Sequence, residues 1–152
     1  MKKNLLLLLI FVAGYLGAQQ DIYKTVSEAL KKNTPEVVLE NKILVINFSS
    51  NPTEINKVVA ADLEKTANVF QAAKLKDGRK GVICVSIVPN ALVEIMLDKE
   101  GYKKTMKLLA SDLGDINVSN IENIIFNANG DVLYKNIEET KIYTSVQKLI
   151  TR

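Results

Sequence analysis

Apolar residues follow two patterns in the middle of the chain, and each pattern predicts a different element. Ile43–Phe48 and Val82–Val88 are nearly continuous apolar runs, rich in β-branched residues. Such runs are typical of strands buried on both faces, as in a parallel sheet covered by helices. Between them, from Ile55 to about Ala73, apolar residues recur every three or four positions. That spacing predicts a long helix, so this region is predicted to be a parallel βαβ unit.

Weaker patterns flank this unit. An apolar residue at every fourth position predicts a short helix over residues 21–32. Pro35 limits this helix, because the residue before a proline avoids the helical conformation. Residues 37–39 are apolar and are compatible with a short strand. From Ala91 to Leu113 helical spacing predicts one helix, or two if residues 98–101 interrupt it.

The last third of the chain changes from helical spacing to short apolar runs. Ile121–Phe126 and Val132–Tyr134 are separated by Asn127–Asp131, a turn that contains Asn and Gly. This arrangement predicts an antiparallel hairpin, because Asn and Gly tolerate positive φ. Helical spacing over Ile137–Ile150, with two glutamates in the expected first turn, predicts a closing helix.

The first eighteen residues have the pattern of a secretory signal peptide. Lys2 and Lys3 precede the apolar segment Leu5–Leu16, and the small residues Gly17 and Ala18 follow it. The apolar core is about a dozen residues long, whereas a membrane-spanning helix needs about 20. We therefore expect cleavage after Ala18 and export to a bacterial periplasm or the medium, with no membrane span afterwards. The alternative is an N-terminal anchor helix that stays in place.

Residues 19–152 are then predicted to form a single domain, because no repeat, low-complexity tract or linker interrupts them. Residues 19–35 form its N-terminal helical segment in this interpretation, and residues 36–152 form its core.

The composition excludes several kinds of chemistry. The chain has no His and one Cys, so it has no Ser-His-Asp or Cys-His nucleophile, no CxxC dithiol, and no His-containing zinc site or four-cysteine metal site. Seven scattered Gly leave no phosphate-binding Gly-rich loop, and no cofactor or metal is predicted. Removing residues 1–18 takes away two lysines, so the net charge falls from +3 to +1. This charge argues against nucleic-acid binding, and the short basic stretch Lys74–Lys80 is predicted to be a solvated loop.

The predicted order of elements and two sequence strings resemble the thioredoxin-like superfamily. Lys42–Phe48 is similar to the "VLVNFW" strand of exported thioredoxin-like proteins of the TlpA/ResA type, and Ile124–Val132 is similar to their "FLID-x-x-G-x-I" hairpin. The resemblance covers about residues 36–150. It implies an α/β fold with a central mixed sheet, made of a parallel βαβ unit and a C-terminal hairpin and covered by helices.

The chain departs from this family at its redox centre. In place of the Trp-Cys-x-x-Cys motif stands Ser49–Glu54, which contains no Cys, and Ile121 stands near the place of the family's cis-Pro. Dithiol exchange needs a reactive thiolate and a second thiol that resolves the mixed disulfide. The resemblance therefore implies a thioredoxin-like fold without thioredoxin chemistry.

The polar residues after the first strand are the main site candidates. Ser50, Asn51 and Thr53 are predicted to lie at the start of the long helix, where they either cap it or bind an anion. In a thioredoxin-like fold their loop meets the loop before the hairpin, which places them beside Asn120 and Ile121. These five residues form the predicted ligand- or peptide-binding site.

Three further candidates have simpler interpretations. Cys84 lies in the middle of an apolar strand and is predicted to be a buried core residue rather than a reactive thiol. Asn47 is predicted to satisfy backbone groups near the end of its strand. Glu54 and Glu122 both lie near strand ends, and a catalytic carboxylate pair there is a weaker alternative.

Three functional hypotheses follow from these observations. The first is an exported, non-catalytic thioredoxin-like domain that binds a protein, a peptide or a small ligand at the strand ends. The second is a monothiol or cofactor-independent enzyme that uses Cys84. The third is a structural component of the cell envelope.

Overall fold

The computed structural model describes residues 21–73, 81–118 and 120–150. The predicted signal peptide and the predicted basic loop at residues 74–80 lie outside the described residues. Within the described ranges, no helix is both long and apolar enough to span a bilayer.

Five strands of the described ranges form one mixed sheet with the order β3-β2-β1-β4-β5. Strand β1 pairs in parallel with β2 and antiparallel with β4, β2 pairs in parallel with β3, and β4 and β5 form the hairpin. The strands are β1 (Ile43–Phe48), β2 (Val82–Val88), β3 (Met106–Leu109), β4 (Asn123–Phe126) and β5 (Val132–Lys135). The predicted α/β class, the βαβ unit and the hairpin are confirmed.

Helices cover both faces of this sheet. The described helices are α1 (residues 21–33), α2 (Lys57–Phe70), α3 (Ala91–Lys99) and α4 (Ile142–Ile150), and a 3₁₀ turn covers Ala110–Leu113. On one face, α1 packs against the side of β1 that carries Leu44 and Ile46. On the other face, α2 and α4 pack against the side that carries Ile43 and Val45. Strand β1 is thus buried on both faces, as its continuous apolar pattern predicts.

The predicted short strand at residues 37–39 is wrong. The backbone N–H of Val37 donates to the carbonyl of Thr34, and that of Lys42 donates to the carbonyl of Leu39. Asn41 has a φ of 60°, so the chain turns here before it enters β1. These local bonds take up backbone groups that a strand would need for pairing.

Only the first part of the predicted helix over Ala91–Leu113 is an α-helix, because a strand lies in its second half. Helix α3 ends at Lys99, and Gly101 follows it with a φ of +90°. Residues Met106–Leu109 then pair in parallel with β2, and the 3₁₀ turn follows. The helix-like spacing of the apolar residues here is overridden by pairing with a strand distant in sequence.

The other two predicted helices begin later than expected. Helix α2 begins at Lys57 and not at Ile55, and α4 begins at Ile142 and not at Ile137. In the second case the backbone N–H of Ile137 donates to Oδ1 of Asn123 at 2.6 Å, which holds the chain against β4. The two glutamates of the expected first turn therefore lie before the helix.

Tyr23 fixes α1 to the turn of the hairpin. Its ring lies 5.4 Å from the ring of Phe126, and its hydroxyl donates to the carbonyl of Ala128 at 3.1 Å. Gly130, with a φ of +84°, lies directly against this ring. A Cβ at position 130 would stand 2.8 Å from Cδ1 of Tyr23, so this glycine is required by its conformation and also by its contact.

We predict that Gly130→Ala destabilises the protein more than Gly101→Ala does. Both positions have positive φ, and an L-residue there costs about 1–2 kcal/mol. Only Gly130 has a neighbour that the new methyl group meets, because nothing lies within 4 Å of a Cβ at Gly101. Overpacking adds roughly 1–3 kcal/mol, so the free energy of unfolding in urea should separate the two variants by at least 1 kcal/mol. Equal losses of unfolding free energy in the two variants would contradict this prediction, because they would show that the Tyr23 ring moves aside at no cost.

Candidate functional site

The carboxyl ends of β1, β2 and β3 and the start of β4 lie side by side at one end of the sheet. The loop of residues 49–56 leaves β1 at this end, and residues 114–118 and 120–122 lie there before β4. The backbone N–H of Phe48 donates to the carbonyl of Glu122 at 2.8 Å, which ties the two connections together. Open α/β sheets present ligands at this edge.

An open groove of about 560 Å³, the outer groove, lies between these two connections. Among the residues that line it are Ser50, Ile87, Leu113, Val118, Asn120 and Ile121. The structure thus brings Ser50, Asn120 and Ile121 of the predicted site to one surface. Its floor is apolar at Ile87 and Leu113, and its polar groups lie near the rim.

Asn51 and Thr53 occupy a different environment from the predicted one. Oδ1 of Asn51 accepts from the backbone N–H of Thr53 at 3.0 Å and from that of Glu54 at 3.2 Å, which closes an exposed turn. Asn51 also lines the cavity described next, whereas Thr53 lines neither that cavity nor the outer groove.

The predicted helix-start role of residues 50–53 is wrong. The cap of α2 is Asn56, whose Oδ1 accepts from the backbone N–H groups of Val58 and Val59 at 3.2 and 3.3 Å. Because Asn51 closes its own turn, the connection from β1 continues beyond it before the helix begins. Ser50, Asn51 and Thr53 therefore do not lie at the N-terminus of α2. They cannot place a ligand against its terminal N–H groups.

A second, more enclosed cavity of about 340 Å³, the inner cavity, lies between the sheet and the helices α2 and α3. One wall is a polar row on the α2 face of the sheet. Lys107, Ser86, Asn47 and Asn123 lie on β3, β2, β1 and β4, and each is in register with the next. All four line the inner cavity, and the opposite wall is apolar.

Of this row, only Asn47 is a candidate from its sequence pattern. A signal was present, because Ser86 interrupts an otherwise apolar strand close to its end, as Asn47 does. The two become neighbours only through the parallel register of β1 and β2, which the pattern of one strand does not define.

The two asparagines of the row are engaged by the backbone. The carboxamide of Asn47 donates to the carbonyl of Glu122 at 3.0 Å. That of Asn123 donates to the carbonyl of Ile137 at 2.7 Å and accepts from the N–H of the same residue. As predicted for Asn47, these side chains satisfy backbone groups, and they hold the segment that enters β4 and the segment that leaves β5.

Lys107 is a buried cation whose charge is compensated. Its side chain is 9% exposed, and its ammonium group lies 2.7 Å from a carboxylate oxygen of Asp98. The same ammonium group also donates to the carbonyl of Tyr102. The cavity therefore contains no uncompensated positive charge from this residue.

Thr105, just before β3, lines the inner cavity and is 4% exposed. Its backbone N–H donates to Glu64 at 2.8 Å, but its hydroxyl has no hydrogen-bond partner among the described residues. Buried polar groups are nearly always paired, so this hydroxyl is exceptional.

Carboxylates rather than cations stand at the opening of the inner cavity. Glu54, Glu122 and Glu139 line it, and Glu139 accepts from Nδ2 of Asn56 at 2.7 Å. Glu54 and Glu122 are thus brought to the same cavity. In the described part of the chain, no group of three or more acidic or cysteine side chains is arranged to hold a metal ion.

Cys84 is buried in the middle of β2, with 1% of its surface exposed, and lines neither cavity. Burial raises the pKa of its thiol far above the ordinary value, and the carboxylates of Glu64 and Asp62 raise it further. Because the thiolate is the nucleophilic form, this environment suppresses reactivity. The prediction that Cys84 is a buried core residue is confirmed.

We predict that a thiol reagent labels Cys84 in the native protein at neutral pH at least 100-fold more slowly than it labels an exposed cysteine. The matched control is Val38→Cys in a Cys84→Ala background, because Val38 is 61% exposed. In denaturant the labelling rates of the two cysteines should become equal. Equally fast labelling of the native proteins would contradict the burial of Cys84.

The fold is similar to that of a known protein. The solved structure is described as "Solution structure of a thiol:disulfide interchange protein from Bacteroides sp.", with a TM-score of 0.55 and 17% sequence identity. The similarity covers 75% of this chain and 76% of that chain. No family model matches the chain, and no curated protein matches it. At this identity the similarity is one of fold, and the chain has the predicted thioredoxin-like α/β fold.

Proposed function

We propose that this protein is an exported, non-catalytic thioredoxin-like domain that binds an extended segment of another protein in the outer groove. The observation that carries this proposal is the meeting of Ser50, Asn120 and Ile121 in one groove at the strand ends. Export rests on the signal-like pattern of residues 1–18.

The groove has the features that an extended peptide needs. One side is the segment of residues 115–118, which belongs to no helix or strand and runs toward β4. Asn120, with a φ of 62°, then turns the chain, and the N–H of Ile121 donates back to the carbonyl of Val118. A peptide laid along this segment pairs with backbone groups and places alternate side chains on the apolar floor.

The absence of dithiol chemistry follows from the position of the only cysteine. Cys84 lies in β2 and not at the start of α2, and the chain has no second thiol to resolve a mixed disulfide. The raised pKa of Cys84 also counts against the alternative of a monothiol enzyme. Binding without catalysis is therefore the function that the site supports best.

We predict that the protein does not accelerate the reduction of insulin disulfides by dithiothreitol. The measured rate should equal that of dithiothreitol alone, because a single buried thiol cannot complete the exchange cycle. The Cys84→Ala variant should give the same rate as the wild type. A clear acceleration that disappears in this variant would contradict the proposal and favour monothiol chemistry.

We predict that peptides selected from a random linear library bind the wild type and lose at least about tenfold in affinity with Ile121→Lys. The lysine introduces a charge into the partly buried, apolar side of the groove. Asn120→Gly should preserve the backbone, because glycine accepts positive φ, and should weaken only peptides that contact the carboxamide.

The matched control is Val38→Lys, which changes an exposed valine before the start of β1, at the opposite end of the strand. Ile121 also packs against the core, so titrations should be made where unfolding curves show every variant folded. Peptides that bind Ile121→Lys as tightly as the wild type would refute the groove assignment.

A further inference from the structure

The inner cavity adjoins the outer groove at the end of β1. Four residues line both of them: Phe48, Ser49, Ser50 and Glu122. The rest of the inner cavity continues from this junction between the sheet and the helices α2 and α3. A peptide that lies in the outer groove therefore passes the entrance of the inner cavity, where one of its side chains can enter.

Ser86 has a hydroxyl group in the inner cavity that the described fold leaves unused. It lies on β2, two residues after Cys84 and so on the same face of the sheet, and it is only 6% exposed. Its hydroxyl has no hydrogen-bond partner among the described residues. In the described ranges, the unpaired side-chain oxygens that are sealed from solvent are those of Thr105 and Ser27, so the oxygen of Ser86 is open to the cavity. Since buried polar groups are nearly always paired, this hydroxyl is available to a ligand.

The charges that line the inner cavity favour a cation. Glu54, Glu122 and Glu139 line it, and all three residues are exposed. Glu139 already accepts a hydrogen bond, whereas the carboxylates of Glu54 and Glu122 have no partner within the described part of the chain. Of the described residues that line the cavity, only Lys107 is cationic, and a carboxylate already compensates its charge. A cationic group is therefore attracted to this cavity, and an anionic group is repelled.

The opposite wall of the cavity suits the hydrocarbon part of a side chain. Val59 and Leu63 of α2 and Val93 and Leu97 of α3 line it. Lysine and arginine bury their hydrocarbon stems along such a surface and keep the charged head in polar surroundings. A wholly apolar side chain would cover the same wall, but it would leave the hydroxyl of Ser86 without water and without a partner, which is costly.

We propose that the inner cavity binds a lysine or arginine side chain of the peptide in the outer groove. Its stem packs against α2 and α3, and its cationic head donates a hydrogen bond to the hydroxyl of Ser86. The carboxylates of Glu54 and Glu122 supply the opposite charge. This inference rests on the proposed function, because it needs the peptide backbone in the outer groove, and it adds the class of residue that the site selects.

The first experiment selects peptides from the random linear library on the wild type and on the double variant Glu54→Gln/Glu122→Gln. Glutamine keeps the shape of each side chain and removes its charge. Wild-type binders should share one position that holds Lys or Arg, and the double variant should lose this preference. The matched control is Glu28→Gln/Glu36→Gln, which removes two exposed carboxylates that line neither the cavity nor the groove. It should keep the preference.

The second experiment measures the Kd of one selected peptide and of analogues with norleucine, glutamine or glutamate in place of the basic residue. The norleucine and glutamine analogues should bind at least about threefold more weakly than the parent peptide, and the glutamate analogue should bind most weakly. Ser86→Ala removes a hydroxyl that has no partner, so the variant should stay folded. It should raise the Kd of the parent peptide about threefold to tenfold and leave that of the norleucine analogue unchanged.

The outcomes separate this inference from the proposed function. Peptides that lose affinity with Ile121→Lys but show no basic preference would overturn this inference alone. A basic preference that survives in Glu54→Gln/Glu122→Gln would also overturn it, because the cation would then bind elsewhere. The same holds for an unchanged Kd of the parent peptide in Ser86→Ala. A library that yields no binder would overturn the proposed function and this inference together.

Discussion

The pairing of β1 with β2 on one side and with β4 on the other is the constraint on which the rest of the structure depends. Strand β1 is apolar on both faces, so it requires a neighbouring strand at each edge and a helix layer on each face. Helix α1 supplies one layer, and α2 and α4 supply the other. The apolar character of the α2 face ends at Asn47, in register with Ser86 and Asn123. The register that aligns the apolar residues of the core therefore also aligns the polar residues at the end of the sheet.

The elements that can be predicted from the sequence are those whose local signals agree with their tertiary environment. The continuous runs of β1 and β2 and the Asn-Gly turn of the hairpin are such signals, and all three are confirmed. Strand β3 was missed because its residues also fit helical spacing, and only the exposed edge of β2 makes it a strand. Likewise, the outer groove was expected from family resemblance, whereas the polar row needs the register of four strands. Thr105 gave no signal at all, because an unpaired hydroxyl is a property of packing.

The connection between β1 and α2 explains why this edge suits binding better than thiol chemistry. A helix N-terminus lowers the pKa of a thiol by directing unpaired N–H groups and the positive end of its dipole at the sulfur. Here Asn56 accepts from two of those N–H groups, and Glu139 holds Asn56 in place at 2.7 Å. Asn51 closes a separate turn upstream. The protein thus uses the helix end for its own structure, and under the proposed function only the strand ends and loops face a partner.

The polar row has a structural role on both sides of β1. On the β1 and β4 side, Asn47 and Asn123 are bonded to the backbone of Glu122 and Ile137, which fixes the entry to β4 and delays the start of α4. On the β3 side, the ammonium group of Lys107 bonds to Asp98 and to the carbonyl of Tyr102. The side chains of Lys107, Asn47 and Asn123 are therefore all held by other groups of the fold. The row thus fixes the segments that lead into β3, into β4 and out of β5.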